Sequence, residues 1–198
     1  MNTQTTKQTT EPASTPTKQT ILAALRAFVS QRSGMNFADY GEREAFMSDY
    51  RPMLREGRDA RTLLAAIEWR DSITAEMLLD ASKRAFSGRL TLTVRDDGAA
   101  SVDYCVGQYF PTEYRAAVCA VCAAALWAYF RANMPAPTFA VNGKGSFATM
   151  AEAEAQAKRF LPSIVSIEER YHGKTGGDYL RNQARREFGR SIASRWFN

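Results

Sequence analysis

The sequence predicts a mostly helical α+β fold: a single domain in which a β-hairpin at about residues 89–107 packs on a long central helix, preceded by a disordered N-terminal tail. Three observations carry that expectation. Apolar residues recur at three- and four-residue spacing through most of the first ninety positions, the period switches to alternation at Leu90, and a nearly unbroken apolar run follows from Ala116 to Phe130. At 198 residues the chain can bury a core of its own. With 45% hydrophobic and 24% charged residues, it is not collagenous, not a coiled-coil rod and not wholly disordered.

Residues 1–19 are almost all Thr, Gln, Lys, Ser and Pro, with little to bury, and read as a disordered polar tail. Residues 20–198 read as one α+β domain ending in a basic helix over residues 178–196. From Thr20, the spacing of Ile21, Leu22, Leu25, Phe28 and Val29 predicts a first helix, stopped at Ser33-Gly34. Asn36 to Tyr50 predicts one helix or two short turns, which Pro52 breaks or restarts. Leu63, Leu64, Ile67 and Trp69 form the apolar stripe of a further helix. Thr74 then caps a helix running through Met77, Leu78 and Ala81 to Phe86, closed by Ser87-Gly88.

At Leu90 the pattern changes. Leu90, Leu92 and Val94 alternate with polar residues, Asp96-Asp97-Gly98 supplies a turn, and Val102, Tyr104 and Val106 alternate on the return. An isolated hairpin is marginal in water, so the helix that follows is its expected cover. That helix starts at Pro111-Thr112 and stops at Asn133 and Pro135. Thr138 to Val141 predicts a short third strand before a turn at Asn142-Gly143. Thr149-x-x-Glu152 matches a capping box for a helix to Leu161, and Ser163 to Tyr171 predicts another helix closed at Gly173. Gly176-Gly177 then reads as a flexible joint, with Asp178 as N-cap of the terminal helix. In that helix Leu180, Ala184, Phe188, Ile192 and Trp196 recur every four residues and Gly189 is a candidate kink.

The net charge of +5 is localised. Residues 170–198 hold seven basic and two acidic groups, so the preceding 169 residues are neutral. A neutral body with a basic end suits an acidic partner, and arginine, which outnumbers lysine 20 to 6, is the better bidentate ligand for phosphate. Three cysteines and no secretory apolar segment near the start predict a reducing, cytoplasmic setting. The Ala116 to Phe130 run falls short of the roughly 20 residues that span a membrane, so no membrane span is expected.

Motifs for chemistry fail on context. Gly173-Lys174-Thr175 resembles the end of a phosphate loop, but Glu168 stands where the motif requires glycine. Cys119-x-x-Cys122, with Cys105 and His172, is nominally a zinc set, yet its pair lies within an apolar helix rather than on a turn, so no metal or other cofactor is expected. His172, the only histidine, reads as capping a helix end.

Two surfaces remain. Lys174, Arg181, Arg185, Arg186, Arg190 and Arg195 are candidate contacts for nucleic acid or for an acidic protein face, and Gln108, Tyr109, Glu113 and Arg115 line a possible groove. The expectation is a non-enzymatic DNA- or RNA-binding protein using its basic terminal helix on the phosphate backbone. The alternative is a phage or mobile-element accessory protein that inhibits or adapts a larger host complex. An enzyme using His172 comes third.

Overall fold

Ile21, Leu22, Leu25, Phe28 and Val29 are all buried on one side of the first helix, α1 (Lys18–Ser30), as their spacing dictates. The computed structural model of the chain describes residues 16–30, 43–85, 90–95, 97–104, 111–142, 144–160 and 166–198. Two compact units divide it at residue 122. Helix α1 begins two residues inside the segment read as tail; residues 1–15 lie outside the described ones, as do Ser33 and Gly34.

In the first unit, α2 (Arg43–Glu68) runs straight through Pro52, where the sequence predicted a break. The missing donor would have served the carbonyl of Ser48, an exposed position. Burial of Met53, Ala60, Leu63, Leu64 and Ile67 downstream outweighs that lost bond. Trp69 does not join this stripe; it follows the last helical turn and is 85% exposed. Two side chains of α1 fasten the end of α2. The Lys18 ammonium donates to the Glu68 and Arg70 carbonyls at 3.2 and 2.7 Å, and Arg26 pairs with Glu68 at 2.6 Å.

Helix α3 (Ala75–Arg84) starts as expected at Thr74, whose hydroxyl accepts from the Met77 amide at 3.2 Å. Its predicted extension to Phe86 and Gly88 lies outside the described residues. Strands β1 (Leu90–Val94) and β2 (Ala100–Tyr104) form the expected antiparallel hairpin, with Leu92 opposite Val102 and Gly98 at φ 77° in the turn. Leu90 and Leu92 face inward. Strand β2 runs along α1 and β1 along α3, so these two helices cover part of the hairpin. Position 106 and the rest of the connection lie outside the described residues.

Helix α4 (Pro111–Ala132) carries proline in its first turn and alanine, valine and cysteine on every side, so consecutive positions such as Val118 and Cys119 are both buried. Its apolar stretch is longer than the sequence reading allowed. Tyr114–Ala132 is, by length and composition, enough to cross a membrane, and half of that stretch is buried within protein.

The second unit contains the remainder of α4 and a three-stranded antiparallel sheet in the order β4-β3-β5: β3 (Thr138–Val141), β4 (Gly145–Phe147) and β5 (Ile167–Arg170). Strand β3 is the expected third strand, now central. Strand β5 replaces the helix predicted over Ser163 to Tyr171, because residues 167–170 pair with β3, Val141 facing Ile167 and Thr138 facing Arg170. Helix α5 (Met150–Ala157) has the full capping box between Thr149 and Glu152 and ends sooner than predicted.

Helix α6 (Gly176–Trp196) is two helical segments joined at Gly189, whose φ of 77° and ψ of 166° are open only to glycine. The joint shifts the buried stripe. Leu180 and Ala184 are buried before it, but beyond it the buried residues are Ala193 and Phe197, each one place later than the predicted Ile192 and Trp196. A Cβ at Gly189 meets nothing within 4 Å, so Gly189→Ala is expected to cost about 1–3 kcal/mol through backbone strain alone. Urea unfolding beside Ser191→Ala checks this; a stabilised Gly189→Ala would mean that the joint is an ordinary helical position.

Candidate nucleic-acid interface

The approach to α6 is a tight turn. Tyr171 and Lys174 pair through both backbone hydrogen bonds, at 2.7 and 3.1 Å, across His172 (φ 48°) and Gly173 (φ 76°). Two positive φ values in a two-residue connection mark a type I′ turn. His172 therefore sits in a hairpin turn continuing β5, not at a helix end, and its ring stacks on Tyr179 at 5.8 Å. The N-cap of α6 is Thr175, not Asp178, and both glycines of the presumed joint lie in the first helical turn. Thr175 accepts from the Asp178 amide at 3.3 Å and donates to the Asp178 carboxylate at 2.9 Å.

This arrangement commits some of the basic residues and leaves others open. Arg181 donates to Asp178 at 2.9 Å. Arg181 and the Thr175 hydroxyl together hold the Asp178 carboxyl below its usual range. The pair therefore persists at neutral pH and is lost only as pH falls through that lowered value. Arg195, half-buried, donates to the Ser191 hydroxyl at 3.3 Å. Arg185, Arg186 and Arg190 are exposed, and none forms an ion pair with a described residue; Lys174 is exposed on the turn before the helix. Arg185 and Arg186 sit side by side on the half of the helix away from Leu180 and Ala184, and Arg190 follows the joint.

The possible groove of the sequence reading has a different character where it is described. Gln108 and Tyr109 lie outside the described residues, and Glu113 belongs to the first turn of α4. Arg115 joins elements within the first unit. Its guanidinium donates to the Val29 carbonyl, at the end of α1, and to the Met53 carbonyl of α2, both at 3.2 Å. Its stem lies beside Gly57, where a Cβ would stand 3.3 Å from its Cδ. Burial and the Arg61 charge lower its pKa, against Glu56 and Tyr50.

Cys119 and Cys122 are buried in α4, and burial pushes the Cys122 thiol pKa up, away from the thiolate that binds metal. Among the described residues no three His, Cys, Asp or Glu side chains cluster; Cys105 lies outside them. A groove of about 380 Å³ on the sheet is lined by Ser146, Ser166, Glu168 and Arg170, but its two charged groups are paired with each other.

Segmental net charge, which singles out α6, passes over α2, because that helix carries five arginines and five carboxylates. The signal that finds its arginines is the spacing of Arg51, Arg55 and Arg58, which share one side of a helix.

Fold and surface together define a mostly helical α+β protein whose terminal helix presents exposed arginines. No protein-family model matches the chain, and neither a curated protein nor a solved structure matches it.

Proposed function

We propose that the protein binds nucleic acid through phosphate contacts made by α6. The observation that supports this reading is the set of three exposed guanidinium groups, Arg185, Arg186 and Arg190, that have no carboxylate partner among the described residues. Such groups can each grip a phosphate with two parallel N–H donors, and Lys174 adds a point charge beside the helix start. Contacts of this kind carry no base readout, so binding is dominated by the backbone and indifferent to sequence. Arg181 and Arg195 contribute less, being held by Asp178 and Ser191.

The test is the affinity of the full chain for mixed-sequence DNA and RNA at about 0.1 M salt, beside the variant carrying Arg185→Ala, Arg186→Ala and Arg190→Ala. Losing three phosphate contacts is expected to weaken binding about 100-fold or more. Equal affinity of the two proteins, or no binding by either, would overturn the reading.

A further inference from the structure

Over residues 51–65, helix α2 separates its charges by side rather than by sequence. The helix as a whole carries five arginines and five carboxylates interspersed along the chain, so it is formally neutral. Over residues 51–65, at about 100° per residue, Arg51, Arg55, Arg58 and Arg61 fall within an arc of about 120°, and all four are exposed. The other residues of that arc are Leu54, Thr62 and Ala65, none of them charged. The carboxylates of the same stretch lie outside that arc and are buried: Glu56 and Asp59 are 8% and 3% exposed. Glu68, at the helix end, is bound to Arg26 at 2.6 Å.

The result is an uninterrupted row of guanidinium groups about 15 Å long, on an element of the first unit and separate in sequence from α6. Its members are like-charged neighbours at i,i+3 and i,i+4, which repel one another in the free protein. A polyanion lying along the helix relieves that repulsion and releases its own condensed counterions. The row is matched to a polymer rather than to a single ion, since its length extends past one phosphate to its neighbours along the backbone. Arginine at all four places supplies the fork that phosphodiesters accept.

We propose that this arginine face of α2 is a second phosphodiester-binding surface, contacting the backbone of DNA or RNA. It rests on the reading of the partner as nucleic acid, but not on α6 as the contact.

The experiment is a salt series on the full chain with two probes, a 20-base-pair DNA duplex and a 20-nucleotide single-stranded RNA. The wild type is compared with Arg51→Ala/Arg55→Ala/Arg58→Ala, with the corresponding triple lysine variant, and with the α6 triple alanine variant. The α2 alanine variant is expected to bind about 100-fold more weakly at 0.1 M salt, with the slope of log K against log salt reduced by about 2 to 3. The lysine variant, which keeps the charge, is expected to keep the slope. A loss confined to one probe still supports the surface and identifies its polymer. A wild-type slope in the α2 alanine variant sinks this inference and leaves α6 standing, whereas a wild-type slope in the α6 variant alone sinks α6 and leaves α2. Equal losses in the alanine and lysine variants, or no binding of either probe by the wild type, would overturn the α2 surface.

Discussion

Replacing Phe197 by alanine is expected to destabilise the second unit by about 3–5 kcal/mol, although the residue is next to last in the chain. Terminal residues ordinarily fray. Phe197 is instead 1% exposed, with ring centroids of Trp127 and Phe130 at 6.1 Å and that of Phe188, nearly parallel, at 5.4 Å. Its amide also closes the last turn of α6 on the Ala193 carbonyl at 3.0 Å. The joint at Gly189 is what lets Phe197 occupy this place. Chemical denaturation read by tryptophan fluorescence checks the cost, and Phe197→Leu should recover most of it because apolar volume is largely kept. A loss below about 1 kcal/mol would mean that the C-terminus is frayed.

Arg115→Met is expected to destabilise the first unit by about 2–4 kcal/mol. The substitution preserves a stem beside Gly57 but removes both donors, leaving the Val29 carbonyl at the end of α1 and the Met53 carbonyl without the guanidinium. It also withdraws the positive charge that faces Glu56, itself only 8% exposed. One side chain of α4 thus ties α1 to α2, and Arg115→Lys should restore little, since one ammonium nitrogen does not match the separate Nε and Nη1 donors that serve the two carbonyls. The check is the urea midpoint at constant m-value; a change within about 0.5 kcal/mol would place Arg115 among ordinary surface residues.

The elements that the sequence announces most clearly are those whose signals are local. Alternation at Leu90, Leu92 and Val94, proline opening α4, and the Thr149–Glu152 capping box need only neighbouring residues to act, and each appears where expected. Elements set by long-range pairing were not legible in this way. Residues 167–170 are a strand because β3 lies beside them, more than 25 positions earlier, and Pro52 is carried inside α2 by burial of the residues that follow it.

The same distinction governs the basic surfaces. Segmental charge located α6 but could not show that Arg181 is tied to Asp178 or that Gly189 re-phases the residues beyond it. It was blind to α2, where the separation of arginine from carboxylate exists only once Glu56 and Asp59 are turned inward.

The most direct measurement of the central claim is the salt dependence of DNA and RNA binding by the wild type and by the α6 triple alanine variant. Log K is expected to fall linearly with log salt, and the slope to shrink by about 0.9 on duplex DNA, or about 0.7 on a single strand, for each of Arg185, Arg186 and Arg190 removed. Identical slopes for the two proteins would contradict it.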